Sequence, residues 1–286
     1  MPPPVRLAFS PDSDDLFMFW PLLHGKIETG GLVFVHERAD TETLNERAAR
    51  GEVDVIAVSI ARYAALSKQY LLLPHGASVG RGYGPVVIAS EPLSVEQLAG
   101  ARVGIPGVHT TAYLTLRLLV PAFTPIVIPI SPFTLSFDAV RERKVDAALL
   151  IHEGRLTYER EGFHRVLDIG EGWSALTGGM PLPLGGNVIR RGLGPTMVAE
   201  VSRLCRESIA WALAHRDEVM TALLAAETRA DVGLDRALLD RYLAMYANED
   251  TRGLAPDVRA AVTELFARGA KAGFLPAGAR ADFADD

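Results

Sequence analysis

The chain has 286 residues, 49% hydrophobic and 22% charged, which excludes a disordered chain and leaves room for two lobes with real cores. A net charge of −6 provides no basic surface for nucleic acid or an anionic membrane, so neither is expected as a partner. The single cysteine, Cys205, excludes an intramolecular disulfide and a multi-cysteine metal site, and in the helix-like run Ser202–Arg206 it reads as a packing residue.

In chain order, Val5–Ser10 reads as a short apolar strand and Leu16–Leu23 as a helix. Leu32–Glu37 then alternates as a strand, and Thr41–Arg50 has helical spacing. The β-branched run Asp54–Ser59 is followed by a helix over Ala61–Lys68, and Pro85–Ala89 is a further strand. A second unit runs as strand Arg102–Ile105, helix Thr110–Val120, strand Ile126–Ile130, helix Thr134–Arg143 and strand Ala147–Ile151. Two β-α-β-α-β series imply α/β lobes with largely parallel sheets. From about Gly194 the chain turns helical, with helices expected over Thr196–His215, Arg216–Ala226, Arg236–Tyr246 and Ala255–Ala270.

Two α/β lobes with a helical tail form the layout of a bilobal binding protein. The crossings between lobes are expected near Glu91–Gly100 and Met180–Arg191, where Pro and Gly concentrate. Residues 1–92 and 189–286 would then form one lobe, completed by the C-terminal helices, and residues 93–188 the other. The N-terminal run lacks the pattern of a secretory signal, and no segment approaches eighteen consecutive apolar residues, so a cytoplasmic protein is expected.

In open parallel sheets, ligands sit beyond the carboxyl ends of the strands. Four such ends carry polar groups: Ser10, Ser59, His109-Thr110-Thr111 and His152-Glu153. Thr110 and Thr111 open a predicted helix, where they can cap it, hold a carboxylate at its free N–H groups, or do both. The Pro106-Gly107 turn before them lets backbone come close to a ligand. His152 ends an apolar strand, which suits either acid–base catalysis or a histidine satisfied by a local carbonyl. The acids Asp12, Asp14 and Asp15 lack calcium-loop spacing and read as helix-capping and dipole partners. Gly80-Arg81-Gly82-Tyr83-Gly84 precedes a strand, so it is no dinucleotide motif. It reads as a loop beside the cleft, with Arg81 available to a carboxylate. The other histidines show no metal spacing.

Several of these segments carry a resemblance: Ser10-Pro11, Asp14-Asp15-Leu16-Phe17-Met18-Phe19, Glu42-Thr43-Leu44-Asn45, Gly80–Pro85, Pro106–Tyr113, Ile151–Tyr158, Pro181–Gly186 and Tyr246–Thr251. Together they resemble the 1,4-dihydroxy-6-naphthoate synthases of the futalosine route to menaquinone, in the family shared with chorismate dehydratase. The resemblance covers nearly the whole chain. It implies a two-lobed fold like type 2 periplasmic binding proteins, with the site in the interlobe cleft. It also implies a lyase that converts cyclic dehypoxanthine futalosine to 1,4-dihydroxy-6-naphthoate without a cofactor or metal. His152 would be the general base, while Ser59, Thr110 and Thr111 would hold the carboxylate and other polar groups of the small-molecule substrate. Ser10, Arg81, His109 and Glu153 complete the expected site, in a monomer or a homodimer.

Two positions depart from the family pattern. The usual Ser-Pro-Cys-Pro-Asn-Asp-Thr-Phe is here Ser10-Pro11-Asp12-Ser13-Asp14-Asp15-Leu16-Phe17, and Ala57 stands where a lysine is common. Chorismate dehydratase and a non-catalytic binding protein for small carboxylates remain the alternative readings.

Overall fold

The computed structural model describes residues 3–120, 122–130, 132, 134–226 and 233–285. Its strands are β1 (Val5–Phe9), β2 (Phe34–Arg38), β3 (Val55–Ser59), β4 (Tyr70–Leu72), β5 (Ser78–Gly80), β6 (Val86–Ala89), β7 (Arg102–Ile105), β8 (Thr124–Val127), β9 (Ala147–Leu150), β10 (His164–Asp168) and β11 (Leu182–Arg190). The helices are α1 (Ser13–Leu23), α2 (Thr41–Ala48), α3 (Ile60–Tyr63), α4 (Thr111–Leu119), α5 (Leu135–Arg141), α6 (Gly154–Thr157), α7 (Ile169–Thr177), α8 (Pro195–Ala214), α9 (Arg216–Ala225), α10 (Arg236–Tyr246), α11 (Glu249–Arg252) and α12 (Pro256–Lys271). None of the described helices is long and apolar enough to cross a membrane.

The strands form two sheets, each the centre of one lobe. The first has the order β2-β1-β3-β11-β4, with β5 also on β11; the second is β10-β6-β9-β7-β8. Strand β1 is parallel to β2 and β3, and β7 is parallel to β8 and β9, as the β-α-β reading requires. Strands β11, β6 and β10 add antiparallel pairings, so both sheets are mixed.

Sheet membership moves the crossings. Strand β6 bonds into the second sheet, so the chain passes over between Gly80 and Val86, ahead of Glu91–Gly100. The return is complete by Leu182, where β11 joins the first sheet, ahead of residue 189. The Pro-Gly run Pro181–Gly186 reads as a connection, yet it opens a nine-residue strand. Pro183 sits beside a register shift in the β11–β5 ladder, where a missing N–H is tolerated. Edge strand β8 also begins earlier than expected, at Thr124, because its ladder to β7 pairs Arg102 with Thr124.

Helices α1, α8, α9 and α10 pack on one face of the first sheet around Leu7, Phe9, Phe17 and Met18. On α8, Val201, Leu204, Cys205, Ser208 and Ala212 form the buried stripe. Pro21 lies inside α1. Near it the Ser208 hydroxyl donates to the Met18 carbonyl at 2.7 Å and accepts from the Leu22 N–H at 3.2 Å. That hydroxyl relays a helical i→i−4 bond across a proline-perturbed turn. A second cluster, including Ile56, Val58, Val103, Leu116 and Trp173, continues from one lobe into the other and supports the cleft from below.

Candidate active site between the lobes

The cleft encloses about 740 Å³, including open solvent at its mouth. Its walls come from the ends of β1, β3 and β9, from β11, from the first turn of α4, and from α10. Ser10, Ser59, Thr110, Thr111 and His152 all line it. The ends of strands in two different sheets thus face one space, because each strand leads into a loop on the same side.

His152 follows β9 in a left-handed backbone conformation, φ +53°, which is uncommon for a residue with a side chain. Its Nε2 lies 2.8 Å from Asp12 Oδ2, which comes from the other lobe, and 3.4 Å from Thr41 Oγ1. Burial alone would lower the proton affinity of the ring, but the carboxylates of Asp12, Glu153 and Asp14 overcome it and hold the pKa above its ordinary value. Glu153 is fully buried; its Oε1 accepts from the Ser13 hydroxyl at 2.6 Å and the Ser13 N–H at 3.3 Å.

The acids of the first loop surround this pair. Asp12 precedes α1 but its side chain makes no cap bond there; Ser10 Oγ donates to it and it faces His152. Asp14 accepts from Ser78 Oγ at 2.5 Å and from the Tyr242 hydroxyl at 3.2 Å. Burial first, then the Asp12 charge, pushes its pKa up to about 6. Asp15 accepts the Ser10 N–H at 2.8 Å, and burial together with Asp14 pushes it up to about 8. The site therefore retains protons that isolated carboxyls would have lost. Among the described residues, no group of three His, Cys, Asp or Glu side chains is arranged to hold a metal ion.

The threonines are engaged by protein. Thr110 caps α4, accepting from the Tyr113 N–H at 3.1 Å and donating to the Gly107 carbonyl at 2.9 Å. Thr111 Oγ1 donates to the Leu184 carbonyl at 2.7 Å and accepts the Ala61 N–H at 3.0 Å, joining α4 to the first lobe. What this helix start offers a ligand is its backbone: the N–H groups of Thr111 and Ala112 precede the first intrahelical bond, and both residues line the pocket. Ser59 is fixed by Asn45, whose amide oxygen accepts the Ser59 N–H at 2.9 Å and whose amide nitrogen donates to Ser59 Oγ at 3.1 Å.

Three expected residues lie outside the pocket wall: Glu153, buried against Ser13, and Arg81 and His109. Arg81 is not in the pocket wall; it makes a two-point contact with Asp250, 2.7 Å at each nitrogen, and a third bond to Asp257 at 2.7 Å. Those carboxylates commit its guanidinium to tying the crossing loop to α11 and α12. His109 turns its Nδ1 to Glu42 Oε1 at 2.7 Å, and its N–H donates to the same carboxylate at 3.1 Å. A Cβ at Gly107 would fall 2.3 Å from the Glu42 carboxylate, so a larger residue there would displace that side chain.

The model for the menaquinone-biosynthesis family matches residues 5–271. The chain belongs to that family. Two relatives of this menaquinone-biosynthesis protein are named 1,4-dihydroxy-6-naphthoate synthase. The one from Thermus thermophilus is 36% identical over 92% of this chain and 93% of its own length. The one from Streptomyces coelicolor is 36% identical over 96% and 95%. A crystallised protein of Archaeoglobus fulgidus superimposes with a TM-score of 0.87 at 41% identity, covering 95% of this chain and 98% of that one. The alkanesulfonate-binding protein SsuA of Xanthomonas axonopodis, 16% identical with a TM-score of 0.71 over 96% and 95%, shares the fold. The family member is thus a two-lobed, periplasmic-binding-protein-like structure, as its sheets already indicate.

Asp12, Asp14, Ser78, Thr41, Tyr242 and Tyr246 line the site of this family member without having been expected there. Asp12 and Asp14 were hidden by their suitability as helix-start residues. Tyr242 and Tyr246 stand four apart on α10, a spacing that places two aromatic rings on one face.

Proposed function

We propose that this protein converts cyclic dehypoxanthine futalosine to 1,4-dihydroxy-6-naphthoate, with His152 as general base. The observation that carries the reading is His152 in the interlobe cleft, 2.8 Å from Asp12, in a chain 36% identical along nearly its whole length to synthases of that name. A skeleton cleavage that ends in an aromatic ring needs a proton taken from carbon beside a carbonyl, and a substrate held in one conformation. His152 supplies the acceptor. The α4 N–H groups of Thr111 and Ala112 receive the substrate carboxylate, Ser59 receives a further polar group, and Tyr242 and Tyr246 wall the ring system.

Residues from both lobes meet around this space, so closure excludes water and strengthens each polar contact. No cofactor is invoked, and the setting proposed is the cytoplasm. Because the carboxylates hold His152 above its ordinary pKa, its base form grows as pH rises through that raised midpoint.

The test is a paired assay of the purified protein with cyclic dehypoxanthine futalosine and with chorismate, products separated by chromatography. The reading requires 1,4-dihydroxy-6-naphthoate from the first and no dehydration of the second. Dehydration of chorismate alone would assign the chain to the sister activity, and Ala57 on the pocket wall would then mark the divergence.

A further inference from the structure

Asp12 and Ser13 stand at the start of α1 in the first lobe, and His152 and Glu153 follow β9 in the second. They meet pairwise: Asp12 Oδ2 lies 2.8 Å from His152 Nε2, and Ser13 Oγ lies 2.6 Å from Glu153 Oε1. All of these contacts are sheltered, with Asp12 at 2% exposure and Glu153 at 0%. The Asp12 carboxylate is itself fixed by the Ser10 hydroxyl, and its neighbour Ser13 is docked through both N–H and O–H. His152 adopts a left-handed backbone that an L residue keeps only where its surroundings over-determine it.

We propose that Asp12 is the positioning residue of this site: reaching from the opposite lobe, its carboxylate fixes the His152 imidazole, so the base is assembled only when the lobes are together. This rests on the reading of His152 as the base and names the group that makes it one. Separation of the lobes would remove the bond to Nε2 together with the nearest negative charge. Base strength and cleft closure are thereby one event, and an open cleft holds a weaker base. The other groups facing the ring are Asp14 from α1, Glu153 beside it and the Thr41 hydroxyl from α2; Tyr242 from α10 is bonded to Asp14. Asp14 and Glu153 are bonded to Ser78, Tyr242 and Ser13, whereas Asp12 bonds the ring itself.

The experiment is an NMR titration of ring-labelled histidine, with the His152 signal assigned by its loss in His152→Gln. It is run on the wild type, Asp12→Asn and Asp14→Asn, each checked for folding by circular dichroism. The proposal requires the His152 midpoint to fall by about one to two pH units in Asp12→Asn, and by less in Asp14→Asn. The acid limb of kcat/KM on cyclic dehypoxanthine futalosine should fall by the same amount, with kcat reduced about tenfold or more. An unchanged midpoint in folded Asp12→Asn overturns it; should that variant not fold, Asp12→Ser must show the same fall. A midpoint that falls in a protein without turnover on this substrate supports the Asp12 assignment and removes the naphthoate synthase reading instead.

Discussion

Asp15 gives the most quantitative consequence of crowding carboxyls at the start of α1. Its carboxyl is pushed from 3.8 up to about 8, by burial first and by the neighbouring Asp14 and Asp12 charges next. Between those values the folded chain holds a proton there that the unfolded chain has released, so stability falls as pH rises through this window. Each unit weakens the fold by about 1.4 kcal/mol, which makes the loss between pH 5 and pH 8 on the order of 4 kcal/mol for Asp15 in the company of Asp14. Asn cannot ionise and keeps an oxygen to accept the Ser10 N–H, bonded at 2.8 Å in the wild type. Any packing cost of the amide is the same at every pH. The stability of Asp15→Asn relative to wild type should therefore improve by about 4 kcal/mol from pH 5 to pH 8 and then level off. Urea unfolding of both proteins at unit pH intervals measures it. A gap that stays constant across that range would show that Asp15 ionises normally and would refute the reasoning.

Ser208→Ala removes the hydroxyl that bridges Met18 O and Leu22 N–H beside Pro21, leaving both groups buried without it. It should cost about 1–3 kcal/mol in urea unfolding, and an unchanged midpoint would contradict the relay. Gly170→Ala would place a Cβ 2.0 Å from the Tyr83 carbonyl carbon and 2.5 Å from the Gly84 nitrogen, atoms of the crossing loop that cannot rotate away. A loss of about 3 kcal/mol or more is expected, seen as a lower Tm. Cys205 is buried and its thiol is pushed up to about 12, so iodoacetamide at pH 8 should label it only after unfolding. Labelling of the native protein at the rate of a free thiol would contradict its packing role.

The elements that periodicity marks well were legible in the sequence. Strand Arg102–Ile105 and helix Arg236–Tyr246 form over the expected residues: the strand is a short run buried on both faces, and the helix buries one face through Leu238, Leu239, Tyr242, Leu243 and Tyr246. Strands β4, β5, β10 and β11 were not read, and for two of them the reason is visible. β5 has three residues, too short for a period, and β11 carries Pro183, Gly185 and Gly186, which read as a turn. At Gly186 space is tight, since a Cβ would lie 3.0 Å from the Ile60 side chain. Within the site, rules for strand ends brought out Ser10, Ser59, Thr110, Thr111 and His152, which line the cleft, and also His109 and Glu153, which do not. They said nothing about which side chains are consumed by the protein itself. Arg81 meets Asp250 and Asp257, residues far along the chain, and nothing local announces that pairing. Asp12 was obscured differently: before a helix, Asp is explained by capping, and only the approach of the second lobe turns it toward His152.

The measurement that tests the central claim most directly is a quenched time course of cyclic dehypoxanthine futalosine with wild type and with His152→Ala, binding being measured on both in parallel. The account predicts 1,4-dihydroxy-6-naphthoate from the wild type. For the variant it predicts retained binding and a rate at least about 100-fold lower. Turnover by His152→Ala at the wild-type rate would contradict it.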